Sequence, residues 1–389
     1  MNIALFSDTY PPEINGVATS TFNLFNILKK NGHNVYAIVT NPFSNKIEYK
    51  DNVLRIPGIL LKKLYGYRMA GFYSSKAMKI VREMKLDVIH IQTDAGIGIF
   101  GKIAARSLRV PTVYTYHTMY EDYTYYATKG HFDRFARNIV RRYSRFVAEQ
   151  CTEFISPSNK TKDIIRTYGV DRYVNVIPTG IDFSKFKKEN QDWQAIAEFK
   201  KSHGLENHFV ILSLGRVAKE KSLDICIKGY AYFLKTATFP TKFVIVGSGP
   251  ARMELETLVD ELGIRDHMLF IGAVPGEQVP FYYHISDIFV SASVTETQGL
   301  TFMEAMASRH IVLARFDENL SGVISNNETG YFFTNEHDFG EKVVRIHGLD
   351  EEKKEAMLTA AMEKVDVFSI ERFYDNIMEV YHRAVRQYW

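Results

Sequence analysis

The sequence predicts an α/β protein of two doubly wound, parallel-sheet domains facing a central cleft. Three observations lead there. The chain has 389 residues, too many for one compact core and suited to two. Short apolar runs alternate with amphipathic helical patterns in both halves, which is the rhythm of βαβ units. Between the halves, Ile177-Pro178-Thr179-Gly180-Ile181-Asp182 is a turn-rich break followed by polar sequence.

Taken in order, strands are expected near residues 2–7, 34–40, 87–92, 111–116, 153–156 and 174–177, separated mostly by helices. The second half repeats the pattern, with strands near 208–213, 242–247, 267–271, 288–292 and 311–315 and helices after Lys221, Pro250, Pro275 and Gly299. From Ile370 to Trp389 apolar residues recur at helical spacing, so a packed helix is expected there, free to cross back to the first domain. The expected division is 1–182, 183–368 and a helix over 369–389. Ligands of such sheets sit beyond the carboxyl ends of the strands, which puts the expected site in the crevice between the domains.

Composition narrows the function. Hydrophobic residues at 46% and charged residues at 24% argue for packed cores and against disorder. No window approaches the roughly 18 apolar residues of a membrane span, so any membrane contact is expected to be peripheral. The N-terminus runs straight into a strand, and no secretory signal is expected. Cys151 and Cys226 are far apart with no metal-ligand pattern, which fits a reducing cytosol. The net charge of +3 conceals an asymmetry: residues 1–182 carry 25 Lys and Arg against 15 Asp and Glu, the remainder 23 against 30. A basic first half suits an anionic partner, lipid surface or nucleic acid; solvated charged faces are the plain alternative.

The most specific segment follows the strand near 288–292. Thr295-Glu296-Thr297-Gln298-Gly299-Leu300-Thr301-Phe302-Met303-Glu304 sets two carboxylates eight apart around a glycine turn that opens a helix. Backbone N–H groups of Gly299, Leu300 and Thr301 would lie at a helix N-terminus, where a diphosphate binds readily. Glu304 could accept from ribose hydroxyls, and Glu296 sits where a donor sugar would project. Two unrelated surface carboxylates are the alternative. A second corner, Gly215-Arg216-Val217-Ala218-Lys219-Glu220-Lys221, offers a guanidinium and an ammonium that can neutralise a departing diphosphate; a solvated basic turn is the other reading. Gly247-Ser248-Gly249-Pro250 also joins strand to helix and reads closer to turn chemistry.

In the first half, Pro11-Pro12-Glu13-Ile14-Asn15-Gly16-Val17 is a loop ending at a helix start, where Gly16 would admit a phosphate close to the backbone, or simply make a β–α turn. His117 ends a strand and leads into Thr118-Met119-Tyr120-Glu121-Asp122-Tyr123, a polar and aromatic cluster at a carboxyl strand end. Arg134, Arg137, Arg141, Arg142 and Arg145 form a helical stripe, with Phe135, Ile139 and Phe146 expected on other faces. The segment Ile59-Leu60-Leu61-Lys62-Lys63-Leu64-Tyr65-Gly66-Tyr67-Arg68 reads as a loop of apolar, aromatic and basic residues. Together these resemble an interfacial anchor for anionic lipid; solvated charge and core packing are the alternatives.

Read as a set and in order along nearly the whole chain, the Asn15-Gly16-Val17 loop, the Gly215-Arg216 to Lys221 turn, Gly247-Ser248-Gly249-Pro250 and the Glu296/Glu304 pair resemble the GT-B fold glycosyltransferases of family 4, with their E-x7-E pattern. The run from His117 to Tyr123 is similar to the bacterial 1,2-diacylglycerol 3-glucosyltransferases of that family. The resemblance implies two Rossmann-like domains, retention of anomeric configuration, a UDP-sugar co-substrate (UDP-glucose or another UDP-hexose), no tightly bound cofactor and no Asp-x-Asp metal site. By position it implies that Arg216 and Lys221 hold the diphosphate, Glu304 the ribose, Glu296 the donor sugar and His117 that sugar from the other domain, with Gly16 approaching the diphosphate. Gly247, Thr297, Gln298, Gly299 and Leu300 complete the implied donor set, and Tyr120, Glu121, Asp122 and Tyr123 join the basic residues as acceptor or membrane candidates. The implied reaction glucosylates diacylglycerol on the cytoplasmic side of the cell membrane. A glycosylated lipid, a phosphoinositol lipid, a soluble glycan or a galactose donor stay open, as does a non-catalytic nucleotide-sugar or nucleic-acid binder, although no nucleic-acid motif accompanies the basic stripe and no nucleic-acid partner is expected. One departure stands out: where relatives continue with a Gly-x-Pro-Val turn, Ser308 is followed by Arg309-His310-Ile311.

Overall fold

The computed structural model describes the chain apart from residues 14, 61–67, 118–132, 295–298, 318, 319 and 321, and apart from the side chains of 60, 133–137 and 140. It divides into two compact units, Met1–Gly180 with Ile370–Trp389, and Ile181–Ser369.

The first unit begins β1 (Asn2–Ser7), α1 (Gly16–Lys30), β2 (Asn34–Asn41), β3 (Glu48–Lys50), β4 (Val53–Leu60), β5 (Arg68–Ala70) and α2 (Ser75–Glu83). It goes on through β6 (Val88–Ile91), α3 (Gly96–Leu108), β7 (Thr112–Thr115), α4 (Asp133–Gln150), β8 (Glu153–Ser156), α5 (Asn159–Thr167) and β9 (Asn175–Val176). The second unit holds α6 (Trp193–Ser202), β10 (Phe209–Leu214), α7 (Leu223–Leu234), β11 (Thr241–Val246), α8 (Arg252–Glu261), β12 (Met268–Gly272), α9 (Val279–His284) and β13 (Ile288–Ser291). It ends with α10 (Leu300–Ala307), β14 (Ile311–Arg315), β15 (Tyr331–Phe333), α11 (Glu336–His347) and α12 (Glu351–Val365); α13 (Ile370–Tyr388) returns to the first unit.

The first sheet has the order β3-β4-β2-β1-β6-β7-β8-β9, with β5 on β4. Every pair is parallel except β3–β4 and β4–β5. Its strands read as continuous apolar runs because both faces are covered. Ala4, Phe6, Ile89 and Ile91 pack on one side against Met78 of α2 and Phe100 and Ala104 of α3. Ile3, Leu5, Val88 and Val113 pack on the other against Leu24 and Leu28 of α1 and Phe373, Ile377 and Tyr381 of α13. Arg383 of α13 adds an ion pair to buried Glu153 at 2.6 Å.

The second sheet, β12-β11-β10-β13-β14-β15, is parallel throughout. Strand order reverses between β1 and β6 in one sheet and between β10 and β13 in the other, the switch points that open a crevice at the carboxyl edge of such sheets.

Two expectations change. Ile59–Arg68 reads as a loop in the sequence, but β4 runs to Leu60 and β5 starts at Arg68, paired antiparallel with Leu60 opposite Arg68. The strands β3, β5 and β15, three residues each, carry too little pattern to be seen in the sequence.

Candidate functional site

At the switch point of the second sheet the backbone leaves β10 through Gly215, at φ 145°, and enters a 3₁₀ turn over Lys219–Lys221. Ser222, left-handed at φ 48°, then starts α7. Arg216 and Lys221 therefore stand on one short turn at the sheet edge, and Arg216 is paired with Glu220.

After β11, a Cβ on Gly247 would lie 1.8 Å from Gly215 O, and one on Gly249 would lie 2.2 Å from Val217 O. Gly247 N–H donates to Gly272 O at 2.8 Å, and Val217 N–H to Ser248 O at 3.0 Å. These hydrogen bonds stitch three strand-end loops together. Gly247 is thus required by the contact between loops, and its N–H is bonded to the neighbouring loop.

Beyond β13, Glu296, Thr297 and Gln298 lie outside the described residues. Gly299, at φ 75°, is the N-cap of α10, and no side chain among the described residues caps this helix. Among the described residues the N–H groups of its first turn, at Leu300 and Thr301, find no acceptor, and they lie at the carboxyl edge of the sheet, where the helix dipole favours an anion. Glu304 is half-buried one turn further along. The Tyr283 hydroxyl lies 3.0 Å from both Thr301 O and Glu304 Oε2, sharing its hydrogen between them. Burial pushes the Glu304 carboxyl up to about 7, against the pull of that hydrogen bond. A desolvated carboxyl of this kind gains most from additional hydroxyl donors. Tyr283 was invisible in sequence because nothing distinguishes it within Phe281-Tyr282-Tyr283-His284.

The Arg309-His310 departure is accommodated locally. Arg309 takes the left-handed conformation, φ 58°, that glycine adopts more cheaply, and pairs with Glu355. His310 is buried between two carbonyls, Ser308 O at 3.1 Å and Ser286 O at 2.9 Å.

In the first unit Gly16 opens α1 behind its cap Asn15, whose side chain accepts from Ala18 N–H at 2.9 Å. A Cβ on Gly16 would meet nothing within 4 Å, so the space beside this first turn is open. His117 lies just past the carboxyl end of β7 and donates from Nε2 to Gln92 Oε1 at 2.6 Å. Burial lowers it to about 4, so the ring is neutral near pH 7. Asp8, at the end of β1, accepts from Thr93 Oγ1 at 2.6 Å and from Ile97 N–H at 2.9 Å, capping α3 with a buried carboxyl. Glu13, on the loop before α1, is pushed up to about 7 by burial, with Asp8 adding to the rise. The sequence reading overlooked Gln92, Asp8 and Glu13; a polar residue beside an apolar strand was the available signal.

On the acceptor side, Tyr120, Glu121, Asp122, Tyr123, Leu61, Lys62 and Lys63 lie outside the described residues, as do the side chains of Leu60, Arg134 and Arg137. In the described part of α4, Arg141, Arg142 and Arg145 are all exposed. Arg141 stacks over Tyr168 at 5.6 Å and Arg145 pairs with Glu149 at 2.7 Å. Ile139 and Phe146, expected on other faces, are 54% and 52% exposed and share a helical stripe with exposed Arg142. No helix among the described residues is long and apolar enough to cross a membrane.

Residues 14–185 match the family described as Glycosyltransferase Family 4, and residues 195–364 match Glycosyl transferases group 1. The alpha-monoglucosyldiacylglycerol synthase of Acholeplasma laidlawii is 34% identical over 354 residues, 89% of this chain and 88% of that protein. The Streptococcus pneumoniae protein of the same name is 33% identical over 387 residues, 99% of this chain and 86% of that protein. The crystal structure of Anabaena HepE in complex with UDP and glucose superposes with a TM-score of 0.74 at 16% identity, covering 97% of this chain and 98% of that one.

Proposed function

The chain belongs to glycosyltransferase family 4, with the GT-B fold, and from that premise we propose that it transfers glucose from UDP-glucose to the free hydroxyl of diacylglycerol at a membrane surface. One observation carries the acceptor: similarity at 33–34% identity over nearly the full length to two proteins named alpha-monoglucosyldiacylglycerol synthase. The donor reading is supported by the corners of the second unit, where a cationic turn follows β10 and the helix opened by Gly299, with Glu304 one turn along it, follows the neighbouring strand β13.

In this reading Arg216 and Lys221 take the diphosphate and stabilise the charge that grows on it as the bond from the sugar C1 to the β-phosphate oxygen breaks. The N–H groups of Leu300 and Thr301 take the remaining phosphate oxygens, Glu304 accepts from the ribose hydroxyls, and Glu296 accepts from the hexose. His117 supplies a neutral imidazole to a hexose hydroxyl, and the open space at Gly16 lets the diphosphate near the start of α1. Retention follows from attack on the same face: the acceptor oxygen bonds to C1 while its proton passes to the departing phosphate oxygen. Such a reaction needs alignment and charge stabilisation more than a strong protein base. Peripheral attachment to the cytoplasmic leaflet is assigned to the exposed stripe of α4 and to the Ile59–Arg68 segment.

The test is mass spectrometry of lipids after incubating the protein with UDP-glucose or UDP-galactose and vesicles containing diacylglycerol. A monohexosyl diacylglycerol formed from UDP-glucose is the expected product. Release of UDP with no gain of lipid mass would overturn the acceptor, and product from UDP-galactose alone would overturn the sugar.

A further inference from the structure

Parallel strands β6 and β7 carry polar residues where the fold calls for apolar ones. His90 and Gln92 follow Val88 on the face of β6 that packs on α1 and α13, and Thr115 and His117 follow Val113 on the same face of β7. The two pairs repeat one geometry. His90 Nε2 lies 2.7 Å from Thr115 Oγ1, and Gln92 Oε1 lies 2.6 Å from His117 Nε2, each bond spanning 25 residues of sequence. His90 Nδ1 continues to the hydroxyl of Tyr381 on α13 at 2.7 Å. The lower rung is therefore anchored on both ring nitrogens, while the upper rung ends on His117.

Gln92 is 2% exposed, and its Nε2 has no hydrogen-bond partner among the described residues. A buried amide nitrogen without a partner costs about 1–3 kcal/mol. Beside it is a small cavity of about 10 Å³ whose lining includes Ser20, His90, Gln92, Thr115, His117 and Thr179. That is room for one water, with the Ser20 and Thr179 hydroxyls also in the lining. Apolar residues of equal size would fill the space without that cost, so the amide is there for what its oxygen does.

We propose that Gln92 is a positioning residue for His117. Its amide oxygen holds the imidazole with Nε2 protonated and Nδ1 bare, oriented as an acceptor for a hydroxyl of the transferred hexose. No other hydrogen bond reaches the His117 ring among the described residues. The inference rests on the reading that His117 touches the hexose. The other titratable groups lining this side are His90 on β6 and, through it, Tyr381 on α13; α1 contributes Ser20 and the linker Thr179. With no carboxylate in that lining, the imidazole stays neutral on the acid side of pH 7.

The experiment measures kcat and KM for UDP-glucose with diacylglycerol vesicles from about pH 5 to 8 in five proteins: wild type, Gln92→Leu, Gln92→Glu, His117→Ala and the double variant Gln92→Leu/His117→Ala. Gln92→Leu is expected to lower kcat roughly 10- to 100-fold with little change in KM, the cost of a misplaced contact. Gln92→Glu keeps the acceptor but favours the imidazolium, so it retains activity at pH 8 and gains an acid limb in kcat that wild type lacks, whereas the Glu304 titration moves KM in both. The double variant should match His117→Ala alone. A further loss in the double variant equal to that of Gln92→Leu would overturn the positioning role, because Gln92 would then act without His117. Full activity in His117→Ala would instead overturn the reading of His117 itself. If Gln92→Leu fails to fold, the acid limb of Gln92→Glu decides, and its absence counts against the proposal.

Discussion

The two units build their carboxyl edges from different material. In the second unit the edge is backbone: Gly215, Gly247, Gly272 and Gly299 all have positive φ, and loops cross at distances that leave no room for a Cβ on Gly247 or Gly249. In the first unit Gly96 and Gly98 are packed as closely on backbone, but side chains are added to the edge: Asp8 caps α3, Thr93 is bonded to Asp8, and Gln92 is bonded to His117. A glycine edge brings N–H groups and helix starts close to a ligand rich in oxygens, as a diphosphate requires. A side-chain edge fixes single donors and acceptors, as recognition of individual hydroxyls requires. If the proposed function holds, equivalent corners of one fold type are divided between binding charge and reading hydroxyls.

The largest effect should come from breaking the backbone edge. Gly247→Ala places a methyl 1.8 Å from a carbonyl oxygen at φ 139°, and we expect a loss above about 3 kcal/mol in chemical denaturation, or no folded protein. Lys221→Ala and Glu296→Gln should leave the melting temperature within a few degrees and lower turnover about 100-fold or more in the vesicle assay. Near-normal rates in both would remove the donor assignment.

Glu304 sharpens the comparison through pH. Hydroxyl donors favour its ionised form, and without ligand it titrates near 7. Affinity for UDP should therefore fall as pH drops below 7, approaching about tenfold per unit in calorimetry. The sign for stability is opposite: a carboxyl raised from 4.5 favours the fold below 4.5 and loses that stabilisation as pH climbs through 7. Glu304→Gln should flatten both slopes and weaken UDP binding.

Smaller effects are expected at the lipid side. Because Arg141 and Arg145 already have partners, Arg142→Ala should weaken cosedimentation with anionic vesicles most, by about fivefold, while leaving UDP-glucose hydrolysis in solution unchanged. Equal losses in both assays would remove the anchor. Smallest is Gly16→Ala: with nothing within 4 Å, it should raise stability by about 0.5 kcal/mol, yet lower kcat/KM if the diphosphate uses that space.

Much of this was legible in the chain. Strands β1, β2 and β6–β8 and the helices after Lys221, Pro250, Pro275 and Gly299 announce themselves, because a parallel strand buried on both faces must be apolar along its length. Arg55 and Pro57 interrupt the pattern of β4, and exposed β3 shows none, so the antiparallel edge was missed. The polar pair His90 and Gln92 inside Val88-Ile89-His90-Ile91-Gln92 was a signal left unread.

By itself the sequence determined the two-sheet α/β plan, the order of its elements and the cationic and acidic corners, since these depend on local periodicity and on residue types at strand ends. Only the tertiary structure decided which polar groups are paired: that Gly247 serves loop contact, that Tyr283 meets Glu304, that Gln92 meets His117, and that Ile139 and Phe146 lie open beside Arg142. Hydrogen-bond partners 21 and 25 residues apart are chosen by strand register and helix packing, and burial, which sets the state of Glu304 and His117, is a property of the packed whole.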